Sequence, residues 1–125
     1  MREILFRGKS PVTKEWVYGD LFQHGEQRFI MTGGHNIEVD PESVGQFTGL
    51  SDENDVKIFE GDIIKATFTG KTMAVAWDSC FAAFTIKNSR ERYGLPKYGA
   101  MSYEVIGNIH DNPELIEDGG TNEEP

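Results

Sequence analysis

The segment EGDIIKATFTGKTMAVAWDSCFAAFTIK, Glu60 to Lys87, decides the fold. Three runs rich in β-branched and aromatic residues are cut by two short turns. Ile63 to Phe68 is followed by Thr69-Gly70-Lys71, and Thr72 to Trp77 by Asp78-Ser79-Cys80; Phe81 to Ile86 closes the set. This spacing predicts a three-stranded antiparallel meander. Val75 and Trp77 share one face, and Phe84 and Ile86 share one face of the next strand.

The rest of the chain repeats the pattern of short β-prone runs between turn residues, with no internal repeat and little helical periodicity. Glu3 to Arg7 is the first run. In EWVYGDLF, Glu15 to Phe22, two-residue spacing puts Trp16, Tyr18 and Phe22 on one face, with Gly19 as a candidate bulge. A turn, HGEQ, leads to RFIMT, which Gly33-Gly34 ends. After His35 to Val39, Asp40-Pro41 starts a tight turn or one helical turn. SYEVIGNIH, Ser102 to His110, supplies the last run. The set suits a mainly β protein: a small N-terminal β region over 1–45, a strongly bent barrel over 46–116, and an acidic tail over 117–125 that has nothing to pack and is expected to be disordered.

Bulk numbers narrow the function classes. The 125 residues make one domain or two very small ones. A single cysteine, Cys80, excludes an intramolecular disulfide and suits a reducing compartment. MREILFRGKS lacks the apolar core of a signal peptide, and no window approaches a membrane span, so a soluble cytoplasmic protein is expected. The net charge of −9 argues against a plain nucleic-acid coat. Glu114 to Pro125 carries five acids and no base; without it the balance is 16 acids to 12 bases, which weakens that argument.

Gln46 to Ile64, QFTGLSDENDVKIFEGDII, concentrates five acids and raises the question of a metal or catalytic site. An EF-hand loop started at Asp52 has Val56 at position 5 and Lys57 at position 6, where an oxygen ligand and glycine belong. Glu60 and Asp62 share a face on a strand, but Gly61 between them marks a turn, and nothing indicates the pocket that acid–base work requires. A turn at Asp52-Glu53-Asn54-Asp55 explains the stretch. A short strand from Val56 to Phe59, with either Ile58 or Phe59 inward but not both, and a second turn at Glu60-Gly61-Asp62 follow.

One local excess of positive charge exists, KNSRERYGLPKYG, Lys87 to Gly99. Lys87, Arg90, Arg92 and Lys97 could follow a phosphate backbone while Tyr93 and Tyr98 stack on bases, on a long loop before the last strand. A solvated loop offsetting the acidic body is the plainer reading. Cys80, His24, His35 and His110 have neither zinc spacing nor an assignable nucleophile–base pairing, and Gly33-Gly34 and Gly70-Lys71 lack the P-loop pattern. No catalytic residue, metal site or cofactor is expected. Trp16, Tyr18, Trp77, Phe81 and Phe84 could fill the core or line a partner groove.

Four segments in this order, MREILFRGK, EWVYGDL, VGQFTGLSDEN with IFEGDII, and EVIGNIHDNPEL, resemble the YopX family of phage and prophage proteins over Met1 to about Leu115. The most specific matches are Thr48-Gly49-Leu50, Glu60-Gly61-Asp62, Gly107-Asn108-Ile109 and Asn112-Pro113. One departure is Asn54-Asp55, where family members often carry Asn-Gly, a change in turn geometry. The resemblance implies an SH3-like barrel in the C-terminal part, a phage or prophage origin and a location in the host cytoplasm. It supplies no reaction, and its motifs look structural. The expectation is a non-enzymatic accessory protein that binds a protein partner or itself, with nucleic-acid binding through 87–98 as the alternative and no membrane partner.

Overall fold

A computed structural model of the chain describes residues 3–95 and 102–116. The tail expected to be disordered, 117–125, lies outside the described residues. The chain divides into two units, Met1–Gly49 and Leu50–Pro125. The division expected at 45/46 falls at the start of one continuous strand, Gly45–Ser51.

The first unit is an antiparallel sheet of β1 (Phe6–Lys9), β2 (Trp16–His24), β3 (Gln27–Thr32), β4 (His35–Val39) and the start of β5 (Gly45–Ser51), in the order β4-β3-β2-β1-β5. Two-residue loops at Gly25-Glu26 and Gly33-Gly34 set the register, with His24 opposite Gln27 and Thr32 opposite His35. The first strand starts at Phe6 rather than Glu3, because pairing with β2 begins where Phe6 meets Gly19. Gly19, the candidate bulge, stands where β2 changes partners: its pairing with β1 ends at Gly19 and its pairing with β3 begins at Asp20. It is glycine for space: a Cβ there would lie 2.2 Å from the Met31 carbonyl oxygen.

Ile30 and Val39 are the fully buried apolar residues of this unit, and Val39 lies where a Gly8 side chain would be. After β4 the chain takes the helical option, a 3-10 turn over Pro41–Ser43 whose Glu42 amide donates to the Asp40 carboxylate at 3.1 Å. The Lys9 amide donates to Ser43 Oγ at 2.8 Å and the Asp40 amide donates to the Lys9 carbonyl at 2.9 Å, so this turn is fastened to β1.

The second unit contains β6 (Lys57–Phe59), β7 (Asp62–Ala66), β8 (Thr72–Asp78), β9 (Ala83–Lys87), β10 (Arg92–Gly94) and β11 (Tyr103–Asn108). The last five form an antiparallel sheet in the order β10-β9-β8-β7-β11. The expected meander is β7-β8-β9, with Val75 opposite Ile86 and Trp77 opposite Phe84. Ile58, Ile64, Met73, Val75, Ile86 and Tyr103 form its core.

Four expectations change. Phe68 and Phe81 lie in turns and are exposed, because β7 ends when the Gly70 amide turns back to the Ala66 carbonyl and β9 begins only after Ala82 takes φ 52°. Ile58 and Phe59 are 0% and 3% exposed, so β6 is covered on both faces rather than one. The segment 87–95 is not a loop: it makes a hairpin with the short strand β10. Finally, the described strands do not close into a barrel, because β10 and β11 stand at opposite ends of the sheet order and do not pair with each other. The outer side of β11 is taken by a turn instead. The Glu53 amide donates to the Tyr103 carbonyl at 3.1 Å and the Val105 amide to Asp52 Oδ2 at 2.8 Å.

Candidate functional site

The signature residues sit at connections. Gly49 and Gly61 have φ of 90° and 95°, a region in which a Cβ is strained. Half-buried Thr48 precedes Gly49 in β5, and Leu50 packs on the core of the second unit. Half-buried Glu60 leads into Gly61, whose amide donates to Val75 and whose carbonyl accepts from Ile109, both at 2.8 Å. Asp62 is buried and accepts the Phe59 amide at 2.7 Å. Asn108 Oδ1 accepts the His110 and Asp111 amides at 2.9 and 2.8 Å, and Asn112 Oδ1 accepts the Asn108 amide at 3.3 Å. Pro113 opens a 3-10 turn that brings Leu115 over Gly107, where a Cβ would be 2.9 Å from Leu115 Cδ1. Asp62 therefore serves this joint, and no described group of three His, Cys, Asp or Glu side chains could hold a metal ion.

Of the basic and aromatic candidates, Lys87, Arg90, Arg92 and Tyr93 are described, all exposed, and all on the β9–β10 hairpin; Lys97 and Tyr98 lie outside the described residues. Lys87 and Arg92 are directly opposite each other. Arg92 pairs with Asp78 at 2.9 Å, and its guanidinium carbon lies 5.4 Å from the centre of the Phe81 ring. The other Asp78 oxygen accepts the Cys80 and Phe81 amides at 2.9 and 3.3 Å, so one carboxylate shapes the turn and holds the cation. Asn88 Oδ1 accepts the Arg90 and Glu91 amides, which fixes the second turn.

Glu91 links Lys71 to the Tyr93 hydroxyl, which donates to it at 2.8 Å. These hydrogen bonds push the Lys71 ammonium and the Tyr93 phenol up and the Glu91 carboxyl down from their ordinary values. Sequence reading missed the roles of Asp78, Lys71 and Glu91 here, since nothing local marks which acid meets which base. The hairpin thus carries more neutralised charge than its composition suggests.

A second surface lies in the first unit. Alternation along the paired strands puts Arg7, Lys9, Trp16, Tyr18, Asp20, Phe22, Phe29 and Met31 on one face. Tyr18, Phe22 and Met31 are 45%, 43% and 44% exposed, and the Phe22 and Phe29 rings lie 6.0 Å apart. The Arg7 guanidinium carbon lies 4.5 Å from the Trp16 ring centre. Trp16, Tyr18 and Phe22 share the expected face. Phe29 and Met31 join it through the register that the Gly25-Glu26 loop sets, the one signal from which they were readable.

No helix among the described residues is long and apolar enough to cross a membrane. No curated protein matches the chain. A solved structure does: the crystal structure of protein EF1440 from Enterococcus faecalis shares 28% identity, covers 94% of this chain and 100% of its own, and superposes with a TM-score of 0.61. A family model described as YopX protein matches residues 5–117. With nearly all of its length matched, the chain belongs to the YopX family.

Proposed function

We propose that this chain is a non-enzymatic phage or prophage accessory protein that binds a protein partner in the host cytoplasm. The observation that carries the reading is the aromatic face of β2 and β3. Exposed apolar rings gathered on one regular surface, with Lys9 and Asp20 on the same face, have the make-up of a protein interface: apolar centre, mixed-charge rim. The acids that drew attention in the sequence are engaged in turns and joints, which leaves the face as the better candidate for activity.

The test is capture of partners from lysate of a phage-bearing host, with and without nuclease, by the native chain and by a Tyr18→Ser, Phe22→Ser, Met31→Ser variant. A protein retained after nuclease by the native chain and lost by the variant supports the reading. Retention by both removes the face from it.

One observation favours a second reading, nucleic-acid binding by the β9–β10 hairpin. Lys87 and Arg90 are exposed on this hairpin, with the exposed ring of Tyr93 on its second strand, and Arg92 is exposed although it already pairs with Asp78. On this reading affinity for a single-stranded oligonucleotide falls steeply with salt and is lost when Arg90 and Arg92 are both changed to glutamate. Binding that survives the double change removes the hairpin from consideration.

A further inference from the structure

We propose that β4 is a self-pairing edge, through which two copies of this chain join their first units into one continuous antiparallel sheet. The inference uses the main-chain edge of that sheet, with Asn36 and Glu38 opposite Met31 and Phe29 at the border of the aromatic face, and does not depend on the identity of any other partner.

β4 ends the strand order of its sheet, and His35, Asn36 and Glu38 are exposed. Gly33 and Gly34 have φ of 57° and 81°, the geometry of a two-residue hairpin loop. In such a hairpin the closing residues, here Thr32 and His35, exchange both main-chain hydrogen bonds. Alternation then turns the main-chain groups of Ile37 and Val39 toward β3. Those of Asn36 and Glu38 point outward, where no strand lies beside them among the described residues. An edge of this kind offers pairing to any strand that fits it.

A second copy fits it in one register better than in others. With the two-fold axis at Ile37, Asn36 of each copy lies opposite Glu38 of the other. Both outward residues of both copies are then bonded, and each carboxamide can donate to a carboxylate. Centring the axis on Asn36 or on Glu38 leaves one such pair instead of two, and the Glu38 centring also sets two carboxylates against each other. The edge cannot lengthen the pairing through Asp40, whose amide already donates to the Lys9 carbonyl at 2.9 Å. In the favoured register half-buried Ile37 meets its own copy at a non-hydrogen-bonded pair, where side chains approach closely. A net charge of −9 on each copy opposes the association, so it strengthens as salt is raised.

The experiment uses the full chain with Cys80→Ser, followed by sedimentation equilibrium. We expect a monomer–dimer equilibrium in which Asn36→Glu weakens the dimer, by setting like charges opposite at both symmetric pairs, and Asn36→Lys strengthens it. Each change shifts the dissociation constant by roughly two- to thirtyfold, given two pairs. Asn36 is exposed, so both variants fold, and circular dichroism verifies it. In the Cys80→Ser background Ile37→Cys forms an intermolecular disulfide under mild oxidation, and His35→Cys, opposite Val39 of the other copy, does not. A monomer at every concentration that solubility permits overturns the proposal. So does a dimer that responds to both Asn36 changes in the same direction, or one in which the Ile37→Cys variant stays unlinked.

Discussion

Asp52 and Val105 are joined across 53 positions of sequence by one hydrogen bond, the Val105 amide donating to the Asp52 carboxylate at 2.8 Å. The other carboxylate oxygen accepts the Asn54 and Val56 amides at 2.8 and 2.9 Å. One acidic side chain therefore builds a turn and binds it to the last strand. Asp52→Ala leaves three amides without this acceptor, and we expect a loss of about 2–4 kcal/mol in denaturant unfolding. Asp52→Asn keeps one accepting oxygen and should lose about half as much. Equal, negligible effects would mean that water replaces the carboxylate.

Asp55 has φ 65°, the left-handed conformation that glycine adopts without strain. The departure from Asn-Gly at this turn thus keeps the turn and stores strain in it. Asp55→Gly should raise stability by about 0.5–1 kcal/mol, and Asp55→Ala should lower it by about 1 kcal/mol. Thermal unfolding of the two variants checks the opposite signs.

Two glycines differ in what surrounds them. A Cβ at Gly19 meets a backbone oxygen 2.2 Å away, whereas one at Gly107 meets the ends of Asn112 and Leu115 at 2.6 and 2.9 Å. Backbone in a sheet cannot withdraw without breaking its ladder, but a side-chain end can turn. Gly19→Ala should therefore lose about 3 kcal/mol or more, and Gly107→Ala about 1–2 kcal/mol. Adding Leu115→Ala should recover part of the loss at Gly107 and none at Gly19.

Burial, with the nearby Asp52 charge adding to it, raises the Tyr103 phenol above its ordinary value of 10.0. The unfolded chain gives up this proton first. The stability gained by keeping the phenol neutral is whole below about pH 10 and is lost as pH rises through the folded value. Unfolding followed across the alkaline range should show a steeper decline for the native chain than for Tyr103→Phe. Parallel curves would remove Tyr103 as the cause.

The meander was readable because its pairings are between neighbours in sequence and its turns are short. So was the face shared by Trp16, Tyr18 and Phe22, which needs only a two-residue period. β10 was not, since three residues carry no periodic signal. The double burial of Ile58 and Phe59 was hidden because alternation predicts one covered face and says nothing of what covers the second. Asp52 read as a solvated turn acid because its partner at Val105 is remote, and the neutralising of Arg92 depends on where Asp78 is carried by a different strand. The open sheet in place of a barrel has the same origin: which strands end an order is decided by distant pairings.

The pairing of β7 with β11 also sets an order of events in synthesis. β2, β3 and β4 pair with their immediate neighbours in sequence, so these hairpins can zip as they leave the ribosome. β7 acquires its second neighbour only when Tyr103–Asn108 has been made. Until then the nascent second unit holds a half-paired sheet whose core around Ile64 lacks Tyr103 and Val105, and a stalled or truncated chain remains in that state, open to proteases and to aggregation.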